Sequence, residues 1–197
     1  GTRVLISPDA TQSLCGCGGR AYVDVFDRTS GHSATQPAWV YPQALANRAS
    51  YIAEAASHEA GHNLGLSHDG TQTSSDFGGS GGWGPIMGAA YGQVITQWSD
   101  GSYPGANNSE DDLARISANG APLVVDDVGD TSAAALPVAV PGSVSALVNS
   151  RTDADVFTVT TSGGRLVATA SPYFPGPNLD LSLTLKDSSG LAVAASA

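Results

Sequence analysis

The chain is poor in cations. Its 197 residues include a single lysine, Lys186, and eight Lys and Arg in all against eighteen Asp and Glu, for a formal net charge of −10. That balance gives no electrostatic basis for binding nucleic acid or an anionic membrane, both of which need clustered positive charge. Long apolar runs are also missing. No stretch reaches the roughly 18 residues that a membrane-spanning helix requires. No signal peptide is visible, because Gly1 begins in what reads as a strand, and a mature or excised chain would account for this. There are two cysteines, Cys15 and Cys17, one residue apart. With no second pair at zinc-binding spacing, a structural zinc site built on them is set aside. A Cys15–Cys17 disulfide across Gly16, pairing with a segment not included here, or two free thiols all stay open.

Histidine is scarce too, and its distribution is informative. Of four histidines, three fall in His58-Glu59-Ala60-Gly61-His62-Asn63-Leu64-Gly65-Leu66-Ser67-His68-Asp69. His58 and His62 are one helical turn apart on one face, so both rings can reach one Zn²⁺ at roughly 2.0–2.1 Å. Glu59 sits beside the first ligand, placed to act as general base on a zinc-activated water. A helix continued to His68 would carry that ring about 9 Å along the axis beyond His62. Gly65 tolerates positive φ, so it can end the helix and return the chain to the metal. Three protein ligands with a fourth position left open is the arrangement of catalytic rather than structural zinc.

These residues complete the pattern H-E-x-x-H-x-x-G-x-x-H, and the string resembles that of the metzincin zinc peptidases. Pro85-Ile86-Met87-Gly88 resembles the family's Met-turn, and Met87 is the only methionine. The resemblance implies that Met87 forms an apolar base under the metal; ordinary core filling is the plainer alternative. Asp69, directly after the third histidine, is similar to the residue found there in the adamalysin (reprolysin) branch. The resemblance makes it an anchor behind the ligands, against the alternative of a turn aspartate in Asp69-Gly70. A zinc-reaching tyrosine lies two residues after the methionine in some branches. Tyr91 is four residues on, so that role is not carried over and Tyr91 is expected in a wall or the core.

Around the motif, residues 2–6 and 20–26 read as strands, and residues 38–41 as a third, shorter one. The resemblance makes the third an edge strand beside the substrate cleft, available to pair with an extended peptide. Residues 45–64 read as a helix with Ile52, Ala56, Ala60 and Leu64 on one stripe. Residues 71–84 read as a Gly/Ser-rich loop near the cleft. A second helix is expected over 109–116, with Ser109 as N-cap and Glu110, Asp111 and Asp112 in its first turn. Those acids are read as capping groups rather than a catalytic cluster. The 57 residues before His58 show no helical pattern. Metzincins carry a long backing helix there, so the catalytic domain is expected to begin incomplete at its N-terminus.

Composition shifts at Val125-Asp126-Asp127-Val128-Gly129-Asp130-Thr131. Beyond it, strand-like segments at 143–148, 155–160, 166–170, 179–185 and 191–194 argue a β-sandwich. The runs Asp153-Ala154-Asp155-Val156-Phe157, Gly164-Arg165-Leu166, Asn178-Leu179-Asp180-Leu181 and Asp187-Ser188-Ser189-Gly190 resemble the bacterial pre-peptidase C-terminal domain. That family is a small jelly-roll-like sandwich appended to secreted peptidases, and here it would be cut short. Asp153, Asp155 and Asp180 have the oxygen chemistry for Ca²⁺, although strand-end and turn aspartates are the preferred reading.

The expected fold class is therefore α+β. A metzincin-like peptidase domain spans 1–122, an acidic linker 123–132, and a jelly-roll-like β-sandwich 133–197. The expected function is a secreted, extracellular zinc-dependent endopeptidase acting on protein or peptide substrates, with Glu59 as general base and His58, His62 and His68 as ligands. The alternative is a non-catalytic peptidase-like fragment whose β-domain binds a surface, polymer or matrix.

Overall fold

The computed structural model describes residues 1–8, 15–174 and 176–196. The part of the expected loop at 9–14 lies outside them. The chain combines small sheets with few helices, an α+β composition, and divides into two compact units. The first comprises Gly1–Pro122 with Tyr173–Leu179, the second Leu123–Pro172 with Asp180–Ala197. The inclusion of Tyr173–Leu179 in the first unit was not expected. Its Asn178 accepts from the Thr96 N–H at 2.8 Å.

In the first unit, β1 (Arg3–Ile6) pairs in parallel with β3 (Pro37–Val40), and β2 (Gly19–Arg20) pairs antiparallel on the other side of β3. Between β2 and β3 lies a single helical turn, α1 (His32–Thr35), where no helix was expected. Pro42 opens a 3₁₀ turn over Pro42–Leu45, and the chain then passes through Ala46 and Asn47 at positive φ. That left-handed break explains why the principal helix, α2 (Ala49–Asn63), begins four residues later than the apolar pattern suggests. Tyr51, Ile52 and Ala56 lean on a buried cluster of Val40, Leu45 and Ala55, which seats the helix on the sheet. A second cluster, Leu64, Leu66, Met87 and Ile116 with Phe26 and Trp98 against it, closes the helix's far end.

Residues 21–26 do not form the strand their alternation suggests. Only Gly19–Arg20 pair, and the following backbone turns at Asp24, φ 60°. This segment instead satisfies the end of α2. The N–H groups of Asp24, Val25 and Phe26 donate to the carbonyls of His62 and Asn63, each at 2.9 Å. Asn63, fully buried, donates its side-chain amide to the Tyr22 carbonyl at 2.8 Å. Helix-terminal carbonyls have no partner within the helix, and that need outweighs the local β propensity of Tyr22, Val23 and Val25.

After the helix come β4 (Trp83–Pro85) and β5 (Ile95–Gln97), parallel to each other, and then α3 (Asp112–Ala118). The N-cap of α3 is Asp111, whose carboxylate accepts from the Ala114 N–H at 3.2 Å, rather than Ser109. Asp112 is buried and accepts from the Ser99 N–H at 2.8 Å.

In the second unit, β6 (Leu136–Val138) pairs in parallel with β7 (Phe157–Val159), and β8 (Leu183–Lys186) pairs antiparallel with β9 (Ala192–Ser196). The expected strands at 143–148 and 166–170 are absent from the described residues. Their side chains are mostly exposed, and Val167 is 67% exposed. They have neither a ladder partner nor a buried face to hold them. No described helix is long and apolar enough to cross a membrane.

Candidate metal centre

Helix α2 presents its polar residues inward. The fully buried row is Ala55, Glu59 and Asn63, spaced by four. The adjoining row is Glu54, His58 and His62, at the same spacing. The helix ends in a paired turn: the Gly65 N–H donates to the His62 carbonyl at 2.9 Å and the Leu66 N–H to the Gly61 carbonyl at 3.0 Å. This is the Schellman arrangement, with its left-handed residue at Gly65, φ +92°. The expected role of Gly65 therefore has a geometric basis. The turn returns the chain so that His68 faces His58 and His62, with ring centroids 5.1 and 4.8 Å away.

Each histidine is fixed through Nδ1. His58 Nδ1 lies 2.8 Å from the Ile86 carbonyl and His62 Nδ1 lies 2.9 Å from the Leu66 carbonyl. His68 Nδ1 lies 3.0 Å from Asp76 Oδ1. With Nδ1 carrying the proton in each ring, Nε2 is left as a lone-pair donor. The Nε2 atoms of His62 and His68 are 3.0 Å apart. A nitrogen from each of the three rings lies within 4.8 Å of the others, so the three can hold one metal ion. Burial, then the charge of His62, pushes His58 down to about 4. Burial likewise lowers His62. Both rings are thus neutral at neutral pH, as metal ligation requires.

Glu59 is 6% exposed and its Oε2 has no hydrogen-bond partner. Burial pushes its carboxyl up to about 7. An unsatisfied buried oxygen on this acid is a costly feature for a purely structural residue. The backbone at Gly19 runs against it: a Cβ there would lie 2.6 Å from the Glu59 carboxylate.

Met87 is fully buried in the cluster with Leu64, Leu66 and Ile116. A Cβ added at Gly61 would lie 2.5 Å from its sulfur, so the helix approaches the methionine closely only because residue 61 is glycine. The turn carrying Met87 is closed by the Gly88 N–H to the Pro85 carbonyl, 3.1 Å, and bound to the segment after His68 by the Asp69 N–H to the Met87 carbonyl, 2.8 Å. Asp69 is fully buried, and Asn108 donates to its Oδ1 at 3.3 Å. Burial and the neighbouring Glu110 push it up to about 6.

Several positioning contacts were not anticipated. Asp76 lies in the Gly/Ser-rich loop and holds His68. Glu110 Oε1 accepts from the Ser67 N–H at 3.0 Å, Asn107 Oδ1 accepts from the Gly70 N–H at 3.0 Å, and the Tyr103 hydroxyl donates to the Gly70 carbonyl at 2.7 Å. Segment 103–110 thus clamps residues 67–70. Tyr91 stacks obliquely on Tyr51, ring centroids 5.3 Å apart. Burial, then the charges of Glu54, Glu59 and Asp76, push its hydroxyl up to about 12.

In the second unit, Asp126, Asp127 and Asp155 form one acidic group and Asp126, Asp130 and Asp153 another, while Asp180 belongs to neither. Most of these carboxylates cap backbone N–H groups. Asp153 accepts from Asn149 at 2.6 Å, Asp127 from Leu147 at 3.0 Å, Asp126 from Val128 at 3.0 Å and Asp130 from Ala154 at 3.2 Å. Cys15 and Cys17 are joined in a disulfide.

Compared with protein-family models, curated proteins and solved structures, the chain matches none.

Proposed function

We propose that the chain is a secreted zinc-dependent endopeptidase of the metzincin kind, with His58, His62 and His68 as metal ligands and Glu59 as general base. One observation carries the reading. Three imidazoles are each fixed at Nδ1 and turn a nitrogen toward a common point, and the residue after the first of them is a buried carboxylate with an unsatisfied oxygen. Three imidazole nitrogens suit Zn²⁺ better than Ca²⁺ or Mg²⁺, which prefer oxygen. A zinc ion held there would polarise a substrate carbonyl and acidify an attacking water. Glu59 accepts that water's proton and returns it to the departing amine. Its raised proton affinity suits exchange near neutral pH. Asp76 and the Ile86 and Leu66 carbonyls hold the three rings in orientation. Met87 and Asp69 keep the turn behind them rigid.

The test pairs metal analysis with hydrolysis. The full chain is expected to bind one zinc per molecule and to cleave casein or gelatin in a chelator-sensitive way. Glu59→Gln is expected to keep the zinc and lose at least about 100-fold in activity, the usual contribution of a positioned base. A folded, zinc-loaded chain that cleaves nothing would favour the binding reading, in which the β-rich unit grips a surface, polymer or matrix.

A further inference from the structure

One half-buried acid, Glu54, has no role in the chemistry just described. Glu54 extends the row of His58 and His62 by one turn, about 6 Å along the axis before His58. Its Oε2 accepts from the Thr96 hydroxyl at 2.7 Å. Its Oε1 is shielded from solvent and has no hydrogen-bond partner. Its side chain makes none of the ion pairs found among the described residues. Arg48, the N-cap of α2, is engaged elsewhere: its guanidinium stacks 4.4 Å above the Tyr51 ring and donates to that residue's hydroxyl at 2.9 Å. A carboxylate oxygen withdrawn from water and left unsatisfied is costly, and such groups concentrate at functional sites.

The surroundings indicate what would complete it. Tyr91 feels the charge of both Glu54 and Glu59. Tyr51, three residues before Glu54 and so its neighbour on the surface of α2, pairs with Tyr91 at 5.3 Å. Aromatic faces flanking a carboxylate suit a long side chain with an apolar stem and a cationic end. Tyr91 is itself 37% exposed and its turn ends at Gly92, φ +91°, so the ring that must give way lies at the surface.

We propose that Glu54 is a specificity-determining residue that receives a lysine or arginine side chain of the peptide substrate next to the scissile bond. The inference rests on the zinc-peptidase reading. The incoming cation supplies the partner that Oε1 lacks, while Thr96 holds Oε2 in place. A neutral side chain of similar size leaves the acid unpaired and is rejected.

The test uses zinc-loaded full chain and matched quenched peptides. They differ only in carrying Arg, Lys, Gln, Leu or Glu at each position on either side of the cleaved bond. The wild-type protein is expected to favour Arg or Lys over Gln at one position by roughly 100-fold in kcat/KM. Glu54→Gln, which keeps an acceptor for Thr96, is expected to bring that ratio close to one. Cleavage with no basic preference at any position overturns the proposal and leaves the peptidase reading intact. A preference that survives Glu54→Gln overturns it equally. Zinc-loaded protein that cleaves no peptide overturns the peptidase reading, and this proposal with it. Should Glu54→Gln fail to fold, the wild-type profile still decides between preference and none.

Discussion

On the proposed zinc reading, Asp76 is the residue through which the loop after the motif would act on the metal. It holds His68, the one proposed ligand outside the helix, by a contact of 3.0 Å to Nδ1. The other two rings are held by backbone carbonyls, which no substitution can delete. Asp76→Ala should therefore weaken zinc binding by roughly 10- to 100-fold, the usual effect of losing a carboxylate behind a histidine ligand. Competition against a chromogenic chelator measures this directly. Unchanged affinity would show that His68 needs no support from the loop.

The buried acid and imidazole also set how the metal-stripped protein responds to pH, and with opposite signs. His58 binds its proton at about 4 when folded, against 6.5 when exposed. The unfolded chain thus holds the extra proton between those values, and stability falls as pH drops through them. Glu59 keeps its proton to about 7 when folded, against 4.5 when exposed. The folded chain holds the extra proton there, and stability falls as pH rises from 4.5 to 7. Glu59→Gln removes only the second effect. In chelator-stripped protein it should stabilise the fold at pH 8 by up to about 3 kcal/mol, with the gain gone by pH 4.5. Urea unfolding at the two pH values checks it.

At the scale of elements, the end of α2 is the junction on which the site depends. Gly65 holds φ +92°, and a Cβ there would lie 2.4 Å from Asn119 Nδ2, which itself donates to the Leu64 carbonyl. Gly65→Ala should cost about 1–3 kcal/mol in metal-free stability from backbone strain alone. It should also weaken zinc binding, because the same turn delivers His68. Gly81 is the control: it has positive φ too, but open space around it, so Gly81→Ala should leave zinc affinity unchanged. The helix, the Gly65 turn and the Met87 turn were legible because each is encoded locally, within a dozen residues. Asp76, Glu110 and Asn107 were not, because their roles arise only when loops fold back onto residues 67–70. The misreadings share a cause. Residues 21–26 alternate like a strand but are claimed by the open carbonyls of α2, and the apolar pattern from Leu45 onward is interrupted by the left-handed pair Ala46 and Asn47. In the second unit alternation is present, but among the described residues no second surface buries it.

Across the whole molecule, buried apolar surface is distributed unevenly. Of the described apolar residues that are fully buried, Val128 alone belongs to the second unit; the others, from Val25 to Ile116, belong to the first. The second unit rests on two two-stranded sheets with largely exposed faces, and paired strands of that size are marginal in water. Hydrogen exchange should therefore separate the units. Amides of α2 and of the Gly65 turn should exchange slowest, near the rate of global opening, while those of β6 to β9 should exchange by local fluctuation. On the proposed zinc reading the metal would sharpen the contrast, because His58, His62 and His68 all lie in the first unit. Adding zinc at 100 times its dissociation constant stabilises only the form that binds it, by about 2.7 kcal/mol. Protection should rise by that amount in α2, in residues 65–69 and around Met87, with none of it at β8 and β9. Equal protection gained in both units would mean that they open together, and the division of the chain into two folding units would then be wrong.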